Sequence, residues 1–210
     1  MLWLAAAPLA SERFDATFQT LAPRAGVDWR VLKAIAWKES GLDPLYVNPS
    51  GYVGLFQTKP ANCRRALRGE VLAGACDALM DPYVSTAVGA AMARHAAGEI
   101  ERACPKAGVR TAVLLIYVNH NLGPEALAFM LRDGCSEEAL RAAAIRYYRG
   151  PGARVAHAYA AKYARDCLAG ADEATCTALP KLDYAALVAA DALAMGVQEW
   201  RFIAKSLPEQ

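Results

Sequence analysis

Apolar residues recur along most of the chain at intervals of three and four, the spacing that places them on one face of a helix. Together with the capping and breaking residues between them, they predict a mainly helical protein. A first helix covers residues 12–22, with Ser11 as its cap and residues 23–27 as its end. Asp28 caps a second over residues 29–40, because a short side-chain acceptor satisfies the orphan N–H groups of a first turn. Gly41 stops it, since glycine accepts the left-handed conformation beyond a helix C-terminus. Residues 42–62 hold too many glycines and prolines for a long helix and read as a structured loop or small β-ribbon, with β-propensity at Tyr52 and Val53. A helical hairpin comes next. Asp81 and Pro82 then open a helix reaching about residue 103. Residues 110–119 are strongly apolar and belong at the centre. Segments 124–132, 136–148 and 154–167 are three more helices, and beyond Pro180, Asp183 opens a last amphipathic one to about residue 205. The expected fold class is mainly α, formally α+β, with a small β element near residues 45–57.

Composition narrows this to one domain with terminal extensions. A chain of 210 residues can bury a sizeable core. We expect an N-terminal arm or signal remnant at 1–11, a domain at 12–168 and a C-terminal helical extension at 169–210. Residues 1–11 are apolar with a small-residue exit but lack a basic start. The 23 basic and 21 acidic residues leave a net charge of +2, which argues against a nucleic-acid partner, since phosphate binding needs a concentrated basic face. The longest internal apolar run, 112–118, is far short of the roughly 18 residues of a membrane helix, so an integral membrane protein is not expected. Six cysteines without a C-x-x-C pair, and histidines off zinc-ligand intervals, predict neither a metal nor another cofactor. They suit disulfides and an oxidising compartment. The pairing taken as expectation is Cys63–Cys76, Cys104–Cys135 and Cys167–Cys176. Other pairings, or buried free thiols, stay open at this level.

Candidate chemistry begins in the second helix. Leu32, Ile35, Ala36 and Glu39 share one face, with Lys33 on the wet side. A carboxyl group held against apolar surface loses hydration in its charged form, and so keeps its proton better. An acid donating to a glycosidic oxygen needs that property. The plain alternative is a solvent-facing glutamate in a last turn, where the helix dipole disfavours it.

The residues after Glu39 favour the catalytic alternative. Glu39-Ser40-Gly41-Leu42-Asp43-Pro44 leads into Asn48-Pro49-Ser50-Gly51-Tyr52-Val53-Gly54-Leu55-Phe56-Gln57, then Pro60-Ala61-Asn62. This run resembles the catalytic region of the soluble lytic transglycosylase family, whose lysozyme-like domain carries an E-S pair, then N-P, a G-L-M-Q segment and a proline. His120-Asn121-Leu122-Gly123-Pro124 is similar to the family's A-Y-N-A-G-P, with His120 in place of tyrosine as in phage-type variants. Tyr159-Ala160-Ala161-Lys162-Tyr163 is similar to its late Y-V-x-K-V helix, although Val155-Ala156 replaces the usual E-T. Asn48 and Asn62 stand where the family has serine and threonine, and Phe56 where it has methionine.

The resemblance implies a lysozyme-like fold, peptidoglycan glycan strands as partner and Glu39 as catalytic acid. It implies cleavage of the bond between N-acetylmuramic acid and N-acetylglucosamine, with 1,6-anhydromuramic acid as product. Asn48, Gln57 and Asn121 would position the strand and Tyr117 or His120 would line the cleft, while Tyr159 is either a site residue or helix packing. Gly51 and Gly54 would let backbone approach a sugar, and Gln57 offers both donor and acceptor. Asp43, Asp77 and Asp81 are the candidates for a second acid, which would make a hydrolytic muramidase. The third reading is an inactive wall-binding or assembly protein. The setting expected is extracytoplasmic, in the periplasm or cell envelope or on a phage virion. The last helix, with Tyr184, Leu187, Val188, Asp191, Met195, Trp200 and Ile203 on one stripe, either packs on the core or docks onto a virion or secretion assembly.

Overall fold

The computed structural model of the chain describes residues 11–163 and 170–201. Residues 1–10 of the expected arm, the expected Cys167–Cys176 bond and the helix end expected near residue 205 fall outside them. Caps set the bounds of several helices. Helix α2 (Trp29–Ser40) starts where the Asp28 side chain accepts from the Arg30 N–H and ends at Gly41, at φ 65°. Helix α4 (Pro82–Ala103) starts where Asp81 accepts from the N–H groups of Tyr83 and Val84. Helix α1 (Asp15–Ala25) runs later than the sequence suggested, because Pro23 is carried in its last turn and Gly26 ends it. Ser11 does not cap it.

Between α2 and α4 lie α3 (Pro60–Ala66) and a 3-10 turn (Val71–Ala75), joined by Cys63–Cys76. Helices α5 (Val109–Leu122), α6 (Pro124–Met130), α7 (Glu137–Arg149), α8 (Ala153–Tyr163) and α9 (Glu173–Ala194) complete the order. A second bond, Cys104–Cys135, ties the end of α4 to the start of α7. The β element is confined to isolated bridges, Val47 with Val53 and Val53 with Thr58. The fold is mainly α. Among the described residues no helix is long and apolar enough to cross a membrane.

Helix α5 is the axis of the core. Its residues from Ala112 to Asn119 are all buried, between α4 on one side and α9 on the other, while α1 packs on α4 and α2. Helix α9 opens at Glu173, well before Asp183, with Asp172 accepting from the Thr175 N–H. Pro180 sits inside it and does not break it. An interior proline costs a helix about 3 kcal/mol. Burial of Ala174, Thr177, Ala178 and Leu182 against the core offsets that cost. The helix stops at Ala194, where Gly196 at φ 85° turns the chain and the Val197 N–H reaches back to the Ala192 carbonyl. Residues 196–201 then return to α2. The Asp28 N–H donates to the Trp200 carbonyl at 3.1 Å, and Arg30 donates to the carbonyls of Met195 and Gly196.

Lys33 departs from the sequence reading. It is on no wet face, since its side chain is 4% exposed and its ammonium pairs with Asp15 of α1 at 2.7 Å. Helix α1 lies over that side of α2, and the chain leading into it offers the Ser11 carbonyl. A buried cation tolerates this only with a counter-charge. Asp15→Ala is therefore expected to lower stability by about 3 kcal/mol, measured as a shift of the urea midpoint. Replacing both partners together, Asp15→Leu with Lys33→Met, should cost less, because it leaves no buried charge unpaired.

Candidate active site

Glu39 occupies the last turn of α2, one turn beyond Ile35 and Ala36, which are buried. Its own side chain is 15% exposed, so the carboxyl sits at the edge of the core with one side open. Ser40 explains its neighbourhood. Its hydroxyl donates to the Ala36 carbonyl within the helix and contacts the Leu55 carbonyl at 3.1 Å, which fastens the following loop against the helix end.

That loop is sewn by its own polar groups. The Asn48 side-chain oxygen accepts from the N–H groups of Ser50 and Tyr52, the local pattern that lets asparagine shape a turn. Gly54, at φ 77°, donates its N–H to the Tyr46 carbonyl. Gln57 holds a positive φ of 43°. Its side-chain amide donates to the carbonyls of Tyr46 and Gly54, both at 3.0 Å. Its Oε1 is buried with no hydrogen-bond partner among the described residues. The Phe56 ring fits against Gly89 of α4, where a Cβ would collide with it, and meets His120 edge-on at 6.0 Å.

Helix α5 supplies the opposite wall. Tyr117, His120 and Asn121 fall at i, i+3 and i+4, so they share a face. The Tyr117 hydroxyl donates to Glu39 Oε1 at 2.7 Å. Burial first, then the charge of Glu39 and this hydrogen bond, push the phenol far above its usual range, so it stays a donor. His120 Nε2 lies 3.8 Å from the same carboxyl oxygen and its side chain is 6% exposed. Burial pushes the imidazole down against the opposing pull of Glu39 and of a hydrogen bond to the Phe56 backbone. The result favours a neutral ring beside the carboxyl.

These elements enclose a cleft of about 350 Å³. Glu39, Asn48, Gln57, Tyr117, His120, Asn121 and Tyr159, all singled out in the sequence, line it together. Asn62 is elsewhere, bonded to Arg65. Three lining residues were not singled out as site residues: Tyr52, Lys181 and Tyr184. The last two come from α9, whose first turns the sequence did not disclose. The Lys181 ammonium donates to Asn121 Oδ1 at 2.8 Å and lies 4.6 Å from the centre of the Tyr159 ring. Tyr184 packs on Tyr117, with ring centres 5.8 Å apart, and its hydroxyl donates to the Lys38 carbonyl.

The other acids weighed from the sequence are employed away from the cleft. Asp43 is exposed and accepts from the Leu45 N–H in a turn. Asp77 pairs with Arg64 on the surface, and Asp81 caps α4. Among the described residues, Glu39 is thus the one carboxylate that lines the cleft. No curated protein matches the chain. The family model described as the transglycosylase SLT domain matches residues 16–134, from the first turn of α1 past α6 and so across Glu39, the sewn loop and the working face of α5. On that match the chain belongs to the transglycosylase SLT domain family.

Proposed function

We propose that the protein cleaves peptidoglycan strands between N-acetylmuramic acid and N-acetylglucosamine, with Glu39 acting as acid and then as base. Family membership supports the substrate, because these domains are lytic enzymes of the cell wall. The observation that carries the finer reading is the lone carboxylate among the described residues of the cleft, anchored by a buried tyrosine. Glycosidases that use water as nucleophile generally bring two carboxyl groups to the bond. A site with one can still complete the reaction if the sugar supplies its own nucleophile.

On this reading Tyr117 holds Oε1 and leaves Oε2 to carry the proton. Protonated Glu39 gives that proton to the glycosidic oxygen as the bond to C1 breaks, and the muramoyl N-acetyl group stabilises the cation developing at C1. The Glu39 carboxylate then accepts the proton of the C6 hydroxyl, whose oxygen bonds to C1. The sugar leaves as 1,6-anhydromuramic acid and no water is consumed. Neutral His120 offers a polar edge and needs no proton of its own in this sequence. Asn48, Gln57, Asn121 and Tyr159 line the cleft and are the residues proposed to contact the strand.

Mass spectrometry of muropeptides released from purified sacculi tests the reading. Anhydromuramic ends are expected throughout. Reducing muramic acid without them would replace it with a hydrolytic muramidase. The matching compartment lies outside the cytoplasm, where peptidoglycan is found and where Cys63–Cys76 and Cys104–Cys135 would persist. Docking to a virion or a secretion assembly through α9 would have to use its outer residues, Leu187 and Leu193, since its inner face belongs to the core.

A further inference from the structure

We propose that lysine–tyrosine pairs around the cleft read the carboxylates of the glycan strand, and that the preferred substrate is a strand whose muramic acids carry free lactyl carboxylates. This inference deepens the reading of the cleft as a wall-glycan site and rests on it. Tyr52, Tyr159 and Tyr184 all line the cleft, and each carries a lysine ammonium over its ring. Lys59 lies 4.6 Å from the centre of the Tyr52 ring, Lys181 4.6 Å from that of Tyr159, and Lys38 4.7 Å from that of Tyr184. All three lysines are half-buried. An aromatic face holds a cation in place through its quadrupole and does not neutralise it. The pairs come from separate parts of the chain. Tyr52 and Lys59 belong to the loop before α3, Tyr159 and Lys181 join α8 to α9, and Tyr184 and Lys38 join α9 to α2. Lys38 also interacts with the charge of Asp191, so the other two lysines carry the proposal.

The concentration of cations is local. The whole chain has a net charge of only +2, and among the described residues Glu39 is the one carboxylate that lines the cleft. The proposed reaction begins with that group protonated. A neutral glycan would gain little from such a rim. The proposed strand alternates N-acetylglucosamine, which has no acid, with N-acetylmuramic acid, whose lactyl group ends in a carboxylate when no peptide is attached. A stem peptide turns that carboxylate into an amide and moves the nearest acids out along a flexible chain. Lys181 is best placed to meet the lactyl group. Its ammonium donates to Asn121 Oδ1 at 2.8 Å, and Asn121 stands one turn of α5 from Tyr117, which holds Glu39. Side chains one turn apart are about 5–6 Å from each other, so the cation stands close to the sugar on which Glu39 acts. An ammonium carries three donors and can bond a carboxylate alongside the amide, and a charged acceptor strengthens the bond. Reading the lactyl group would also set the register, bringing muramic acid and not N-acetylglucosamine to the acid. Lys181 lies in α9, outside residues 16–134, so this contact is a feature of the chain beyond the matched domain.

The test measures binding by titration calorimetry to the full chain carrying Glu39→Gln, which leaves the glycan uncut. Three hexasaccharides are compared: chitohexaose, which has no acid, a wall strand stripped of peptides by an amidase, and the same strand with its stem peptides. The stripped strand is expected to bind about thirtyfold tighter than chitohexaose. Lys181→Met should lower that ratio about tenfold. Lys59→Met should lower it about threefold, less because Lys59 stands behind Tyr52 and not in the lining. Lys181→Arg, which keeps the charge, should restore most of the ratio. The ratio is the quantity to read, since a packing defect would weaken both glycans together. Raising the salt from about 0.05 to about 0.5 M should shrink it, because added ions screen exposed charges. Equal binding of chitohexaose and the stripped strand would overturn the proposal, and so would a ratio that Lys181→Met leaves unchanged. Tighter binding of the peptide-bearing strand would overturn it in favour of the acids of the stem peptide. The product of the reaction is read separately. Anhydromuramic ends without any carboxylate preference would reject this inference alone, while reducing ends with the preference intact would reject the proposed reaction alone.

Discussion

Glu39→Gln is expected to abolish clearing of peptidoglycan in a zymogram, with the release of soluble fragments falling by about a thousandfold or more. Proton transfer by a positioned side chain contributes on the order of 10² to 10⁴ in rate, and here one group carries both transfers. Glutamine keeps the shape of glutamate and an oxygen that can accept the Tyr117 proton, so the link seen at 2.7 Å can persist. His120, held neutral by burial, loses no counter-ion that it needs. The substitution should therefore leave the melting temperature within a few degrees of wild type. Loss of clearing with an intact melting transition supports catalysis by Glu39. Clearing at the wild-type rate would remove Glu39 from the mechanism, and a wild type that clears nothing would favour a wall-binding protein with an enzyme's fold.

Gly54→Ala should give the largest loss of stability among loop substitutions, about 3 kcal/mol or more. Two separate penalties combine at this position. At φ 77° a side chain is strained whatever the space around it. A Cβ there would also press into the Leu79 carbonyl and the Ser85 hydroxyl, and backbone cannot swing aside as a side-chain tip can. Ser85 is itself bonded to the Phe56 N–H, so relief in that direction disturbs the ring beside His120. Gly51 provides the control, because it has the same φ of 77° with nothing near its would-be Cβ. Gly51→Ala should cost only the strain, about 1 kcal/mol. Thermal melts of the two variants compare the terms directly. Equal losses would show that the contact with Leu79 does not matter.

Much of this arrangement was legible in the sequence wherever the cause is local. Asp28 and Gly41 bracket α2, and Asp81 with Pro82 opens α4, because caps act within a turn of themselves. The stripe from Leu32 to Glu39 correctly placed the carboxyl at the edge of the core for the same reason. Lys33 was misplaced because its burial depends on α1 lying across it, and no periodicity within α2 discloses a neighbour. Pro180 read as a break because the core contacts that keep α9 helical through it come from distant segments. Lys181 was hidden with it: without a helix over those residues there was no face for it to share with Tyr184. Gln57 was legible as a polar group in the glycine-rich loop, and it lines the cleft. That its amide nitrogen is tied to the Tyr46 and Gly54 carbonyls depends on a loop conformation with a positive φ that residue types alone do not specify.

The return of residues 196–201 to the start of α2 bears on the order in which the molecule assembles. Arg30 and Met195 are 165 positions apart. Contacts of that range form late, because the entropy lost in closing so long a loop comes before the contact can offset it. Helices α1, α2, α4 and α5 can gather from nearer segments, and with them Glu39, Tyr117 and His120. The wall bearing Lys181 and Tyr184 arrives only with α9. In that order Glu39 is in place before the wall that completes its cleft, and the competence of the cleft trails the burial of the core.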